Sequence, residues 1–314
     1  MIPRVPVATL PTPLAPAPRL SEDLGLEVWL KRDDLTGLGL GGNKARPLDY
    51  LLGDALAEGA DYFVTGGGPG SNWVLMAAIA ARSRGLKVEV VLFGTHEAPE
   101  VGCLRLLKRL PGVGITFTGT PARHSVDALL ESVSSHLRER GHRPYTVGRG
   151  GAGPVGALGY VMAVDEMDEQ LAFQGIEVPT IWLAAGSCGT QAGLVAGHRR
   201  PDRRPRHIVG VSVHRPVEEC RQRIVSMSDA ALDLLEVDER PPVDWTVLDA
   251  LCPEPEPVSA AARLMIDTEG IYLDREFGSP ALAALVERSD QVKGPVVFVV
   301  TGGVPSLFVG SAAT

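Results

Sequence analysis

Short runs that are apolar on both faces recur along this chain, and each leads into a glycine-rich turn and then a stretch with helical spacing. TIWLAA at 180–185, HIVGVSV at 207–213 and PVVFVV at 295–300 are the clearest, with DYFVT at 61–65 and KVEVVLF at 87–93 beside them. A strand with no polar face must be covered on both sides, so the alternation predicts an α/β fold with parallel-rich sheets between layers of helices. Further strands are expected at 27–31 and 113–117. Helices are expected at 20–24, 48–58, 73–82, 101–110, 125–139, 157–173, 191–197, 216–236 and 258–268. In such sheets ligands bind outside the carboxyl ends of the strands, where the glycine turns fall.

Composition matters mainly for what it excludes. The chain has 314 residues, 45% hydrophobic and 22% charged, enough for one large domain or two ordinary ones. A net charge of −8 argues against a partner held through nucleic-acid phosphates. The basic run at 199–206 is interrupted by prolines and lacks aromatics, so it reads as a surface turn. No apolar run approaches the roughly 20 residues that span a bilayer, and the proline-broken start MIPRVPVATLPTPL lacks a signal-peptide core. Cys103, Cys188, Cys220 and Cys252 are too widely spaced for a CxxC pair. No metal site or disulfide framework is expected, and a reducing cytoplasm is the default.

Four glycine clusters carry the chemistry. LTGLGLGGNKARPLD at 35–49 places Asn43 and Lys44 where a glycine-rich segment turns into a helix, so main-chain N–H groups can approach a ligand closely. A lone lysine usually reads as a solvated one. Held in an apolar cleft, however, it sheds its proton readily, as a Schiff-base lysine must. Three adjacent charges, Arg32, Asp33 and Asp34, precede this loop and could brace it. In the second cluster, GGGPGSN at 66–72, Ser71 and Asn72 cap an apolar helix. The third lies at 148–156. In the fourth, Gly186, Ser187, Cys188, Gly189 and Thr190 join an apolar strand to a small-residue helix. Backbone N–H groups and two hydroxyls at a positive helix end suit a phosphate. Neither GxxxxGK[ST] nor GxGxxG is present. A protected lysine opposite a phosphate cradle indicates pyridoxal 5′-phosphate (PLP) as cofactor.

The run KRDDLTGLGLGGNKARPLDYLL resembles the signature of the 1-aminocyclopropane-1-carboxylate (ACC) deaminase and D-cysteine desulfhydrase family. These are fold type II PLP enzymes of the tryptophan-synthase-β-like group. The likeness continues through VTGGGPGSN, VGRGGAGPVGALGYV, GSCGTQAGL, IVGVSVHRP, TEGIYLD and VVFVVTGGVPSLF. It implies a cofactor imine on Lys44, a bond from Asn43 to the cofactor's ring oxygen, and a phosphate held by residues 186–190. Ser71 and Asn72 would face the substrate carboxylate and reacting carbon, with Trp73 and Phe277 beside them. The partner of the pyridine nitrogen would lie near Gly278, Ser279 or Thr301. Also implied are a homodimer, a small amino-acid substrate, a large PLP-binding domain of 1–46 and 157–314, and a smaller mobile domain of 47–156.

The departures from the family pattern fall on the substrate side. Gly70 and Trp73 flank Ser71 and Asn72, where the family has glutamine and then histidine or glutamine. Phe277 and Gly278 stand where it has a tyrosine and a neighbouring glutamate or threonine. Leu251 lies near the place of a second tyrosine. Neither phenylalanine nor leucine can move a proton. The family default is deamination or β-elimination from a small amino acid, with Lys44 and Ser71 as catalytic residues. Two other readings stay open: elimination followed by replacement or ring chemistry, and a PLP-binding protein with little catalysis.

Overall fold

The apolar runs become strands, and they separate into two sheets. The computed structural model describes residues 2–251 and 254–308, so Cys252 lies outside the described residues. In chain order the strands are β1 (Leu14–Pro16), β2 (Val28–Lys31), β3 (Tyr62–Gly67), β4 (Lys87–Leu92), β5 (Val113–Phe117), β6 (Pro144–Val147), β7 (Thr180–Ala185), β8 (His207–Ser212), β9 (Trp245–Asp249) and β10 (Val296–Val299). The helices are α1 (Pro18–Leu24), α2 (Ala45–Ala57), α3 (Asn72–Ser83), α4 (Gly102–Leu107), α5 (Ser125–Glu139), α6 (Pro154–Gln174), α7 (Gly189–His198), α8 (Val217–Leu234), α9 (Pro255–Glu269) and α10 (Gly278–Glu287).

The larger sheet runs β1-β2-β10-β7-β8-β9 and the smaller one β5-β4-β3-β6. Every pairing is parallel except β1 with β2. β1 is an edge strand ending in Pro16, a place where proline costs the sheet no inner hydrogen bond. The larger sheet is apolar on both faces for the reason expected. Ile181, Leu183, Val297 and Val299 pack with residues of α6, α7 and α8, while Trp182, Ala184, Val296 and Phe298 pack with α9 and α10. In the smaller sheet Phe63, Val88, Val90 and Leu92 share a core with α2 and α3.

Four elements were not anticipated: β1, β6, β9 and α10. α10 opens Gly278-Ser279-Pro280, which reads as a turn. Proline in a first helical turn removes only an N–H that has no partner there. β9 is a short edge strand preceded by prolines. No helix among the described residues is long and apolar enough to cross a membrane, and these residues hold no group of three or more His, Cys, Asp or Glu placed for a metal ion.

One charged cluster is buried beneath the first glycine loop. Arg46, in the first turn of α2, donates to Asp33 through Nε at 2.9 Å and Nη2 at 2.8 Å, and to Glu166 of α6 at 2.9 and 2.7 Å. Asp33 also accepts from the Thr12 hydroxyl at 2.7 Å and from the Tyr160 hydroxyl. Lys31 donates to the Thr12 carbonyl at 2.8 Å, to Gln170 and to Glu166. Burial alone would push the Asp33 and Glu166 carboxyls up, but the Arg46 charge and its hydrogen bonds outweigh it and hold both below the usual range. Of the three charges expected to brace the loop, Asp33 holds Arg46, in the helix that follows it. Arg32 instead pairs with its neighbour Asp34 at 2.9 and 2.7 Å.

Candidate active site

The carboxyl ends of β3, β7, β8 and β10 open into a cavity of about 430 Å³, a size suited to a cofactor or small ligand. All four glycine clusters reach it. Lys44, expected as the imine lysine, sits at the start of α2 with its Nζ 3.5 Å from Ser187 Oγ. Loss of solvation lowers its amine to about 8, opposed only by the nearby Cys188. Asn43 beside it is fixed from two directions. Its backbone N–H donates to the Thr301 carbonyl at 2.9 Å, and its side-chain amide to Thr190 Oγ1 at 3.0 Å. The chain can make this approach only as glycine at Gly41 and Gly42. Both have positive φ, and a Cβ on Gly41 would lie 1.9 Å from the Asp34 carbonyl oxygen.

Gly186, Ser187, Cys188, Gly189 and Thr190 turn from β7 into α7, with Cys188 in the left-handed region at φ 70°. That bend leaves the first N–H groups of α7 and the hydroxyls of Ser187 and Thr190 at one end of the cavity, a ready anion site. The Cys188 side chain is buried, next to Cys220. Cys103, Cys188 and Cys220 are all free thiols. Shape also fits an anion-bearing cofactor. The absence of a Cβ at Gly186 lets the Phe277 ring close against the turn, 2.5 Å from where that atom would stand, and Gly150 approaches so closely that a Cβ would lie 2.6 Å from Ser187 Cβ. Gly189→Asp has room for its Cβ, 3.4 Å from Ala152, but sets a carboxylate at the anion's place. Cofactor affinity is expected to fall by at least about tenfold, one favourable charge contact at a helix end being worth up to ~2 kcal/mol. Equilibrium binding with the fold checked by circular dichroism measures it, and unchanged affinity would move the anion site elsewhere.

Ser71 and Asn72 also line the cavity. Ser71 is the N-cap of α3, its Oγ accepting from the Val74 N–H at 3.4 Å. Asn72 leans toward the Lys44 loop, its amide 3.4 Å from the Gly41 carbonyl oxygen. Trp73, expected beside them, also lines the cavity. It is 2% exposed, and its indole N–H donates to Thr65 Oγ1 at 2.9 Å. The reason is the loop above it: Gly151 lies directly on the ring, where a Cβ would come within 2.4 Å. Trp73 thus supports the third glycine loop from below.

Phe277 reaches the cavity edge-on to His214, ring centroids 4.9 Å apart. Gly278 and Ser279 begin α10, and Ser279 is fully buried. Asp274 binds that helix end. Its carboxylate accepts from the N–H groups of Glu276 at 3.0 Å, Phe277 at 2.7 Å and Gly278 at 3.0 Å, while burial holds the carboxyl above its ordinary range. Leu251 is 41% exposed and does not line the cavity. Several lining residues had no role assigned from the sequence: His214, Glu276, Asp274 and the arginines Arg123, Arg149 and Arg215. His214 and Asp274 lie inside IVGVSVHRP and TEGIYLD, so a signal existed. Arg123 sits in a loop that carried none.

Comparison with known proteins agrees with this geometry. The family model described as "Pyridoxal-phosphate dependent enzyme" matches residues 5–302. A D-cysteine desulfhydrase of Salmonella choleraesuis (strain SC-B67) is 35% identical over 321 residues, covering 98% of this chain and 95% of that protein. The crystal structure of an ACC deaminase homologue superposes with a TM-score of 0.87 at 33% identity, covering 98% of this chain and 94% of that one. A threonine deaminase from T.th. shares the fold alone, with a TM-score of 0.67 at 21% identity over 93% and 92% of the two chains. With a lysine of lowered basicity facing an anion cradle, and relatives matched along nearly its whole length, this chain belongs to the pyridoxal-phosphate dependent enzymes, of fold type II.

Proposed function

We propose that this enzyme is a lyase that deaminates a small amino acid or eliminates its β-substituent, releasing ammonia and a 2-oxo acid. The observation that carries the reading is Lys44. Its Nζ lies 3.5 Å from Ser187 Oγ, at the mouth of α7, in a site that lowers its amine to about 8. Lys44 would hold the cofactor covalently, Asn43 would orient it, and residues 186–190 with Thr190 Oγ1 would bind its phosphate. Thr301 fixes Asn43 through its carbonyl. When bound, the cofactor supplies an electron sink for a bond broken at the substrate's α-carbon. Ser71 and Asn72, at the N-terminus of α3, would take the substrate carboxylate, where unpaired N–H groups favour an anion. Released from the cofactor, Lys44 would act as a base near neutrality.

The same reading divides the chain into a cofactor domain of 1–46 and 157–314 and a smaller mobile domain of 47–156. It is supported by the separation of strands, since the smaller sheet draws only on residues between 62 and 147. A homodimer in the cytoplasm completes the proposal. The three free thiols suit a reducing compartment, and light scattering tests the assembly.

The purified protein should be yellow, and a panel of D- and L-amino acids followed by ammonia, 2-oxo acid and sulfide release tests the reaction. ACC and D-cysteine are expected to be slow substrates, below about 1 per second. Phe277 has no proton to exchange, and a placed acid or base is worth about 10²–10⁴-fold in rate. Fast turnover of either would show that the missing hydroxyl is unimportant. A protein that binds PLP but converts none of the panel would overturn the lyase reading.

A further inference from the structure

Phe277 offers the substrate no hydroxyl at its own position, but the residues on either side of its ring form a proton-handling pair. His214 follows the end of β8, and its Nε2 lies 2.9 Å from Glu276 Oε1. Among the described residues that is the ring's only hydrogen bond. The other nitrogen faces the cavity: a Cβ built on Gly186 would lie 3.5 Å from Nδ1. Phe277 packs edge-on against the ring at 4.9 Å. One nitrogen anchored by a carboxylate and the other turned toward a ligand cavity is the arrangement that presents a lone pair at a chosen spot.

We propose that His214 is a second proton acceptor of this cleft beside Lys44, its Nδ1 serving the bound substrate, and that Glu276 is the positioning residue holding Nε2–H. The inference rests on the lyase reading above. The step is a proton transfer only. A bond to hydrogen in the substrate breaks, its electron pair stays on the substrate atom, and the proton goes to Nδ1. The imidazolium formed faces the Glu276 carboxylate. Return of the proton to the departing fragment leaves the ring neutral.

The surroundings keep the resting ring unprotonated. Burial comes first, then the charges of Arg123, from the loop before α5, and Arg215, next in the chain, and together they lower His214 to about 4. Glu276 is raised by burial, opposed by Arg123, whose Nη2 is 3.8 Å away, and aided by Asp274. A neutral imidazole at working pH donates through Nε2 and accepts through Nδ1.

Two measurements test the pair. In histidine-labelled protein without cofactor, ¹⁵N shifts should show His214 protonated at Nε2 and bare at Nδ1 at pH 7. Adding PLP and D-serine should move the Nδ1 signal and leave Nε2 in place. A ring protonated at Nδ1, or an Nδ1 signal indifferent to D-serine, overturns the proposal whether or not any amino acid is turned over. For the substrate that the panel identifies, His214→Gln should lower kcat at least a hundredfold while KM and cofactor absorbance stay within about twofold. Glu276→Gln should give an intermediate loss and Glu276→Asp partial rescue. Full kcat in His214→Gln, or a loss explained by failed PLP binding, refutes the role. A panel with no substrate refutes the lyase reading and leaves the shift experiment to decide the pair.

Discussion

Replacing Lys44 by alanine is expected to abolish covalent retention of the cofactor and to cut turnover by at least about 10⁴-fold, as losing a covalent catalytic group does. The variant should still fold, because the Lys44 side chain lines the cavity and is tied to its surroundings only weakly. Its one hydrogen bond, to Ser187 Oγ at 3.5 Å, is at the limit of such contacts. Borohydride reduction followed by peptide mass mapping should find the cofactor's mass on the Lys44 peptide of the wild type and nowhere in the variant. Label on another lysine would overturn the assignment. The lowered basicity adds a pH dependence whose sign is fixed. Ammonium cannot attack a carbonyl, so the rate of covalent loading onto cofactor-free protein should climb about tenfold per pH unit below about 8 and level off above it. A profile still rising at pH 10 would show an ordinary solvated lysine.

The second large effect concerns stability. Arg46→Met fills a similar volume but leaves Asp33, fully buried, and Glu166 without the guanidinium that donates two hydrogen bonds to each. Removing one partner of a buried ion pair costs about 3–5 kcal/mol, a large part of the roughly 5–15 kcal/mol that holds a folded domain together. Urea unfolding of the cofactor-free protein measures it. In the wild type both carboxyls are held below their unfolded values. Their contribution is therefore complete above the ordinary carboxylate range and is lost as pH falls through the lowered folded values. In the variant burial wins, Asp33 takes up a proton more readily, and the gap between the two proteins should narrow in acid. A deficit under about 1 kcal/mol at neutral pH, or one that widens in acid, would show that the cluster contributes little.

Most of the fold was legible because apolar strands and helical spacing are local signals. TIWLAA is the strand Thr180–Ala185 residue for residue, and the helix expected at 125–139 is found as Ser125–Glu139. α10 was hidden by its Gly-Ser-Pro start, whose helical role depends on the Asp274 carboxylate that caps it. In the site, the meeting of Lys44, Asn43 and the 186–190 turn at one cavity follows from glycine spacing and a helix start written in consecutive residues. The burial of Trp73 does not, because its environment is made by Thr65 and Gly151, the latter far off in sequence. For the same reason the meeting of His214 with Glu276, 62 residues apart, carries no local signature.

The buried charges under the glycine loop have a consequence for when the enzyme comes into being. Arg46 stands two residues after Lys44, and its carboxylate partner Glu166 is 120 residues downstream. Tyr160 reaches back 127 residues to Asp33, and Gln170 158 residues to Thr12. Contacts spanning such distances form late, after the entropy of closing the intervening chain has been met. The first 150 residues contain every strand of the smaller sheet, the lysine itself and the Asp33 that holds Arg46, but neither Glu166 nor the 186–190 turn. Cofactor capture thus waits for the second half of the chain, and a truncated product should be unable to sequester the vitamin.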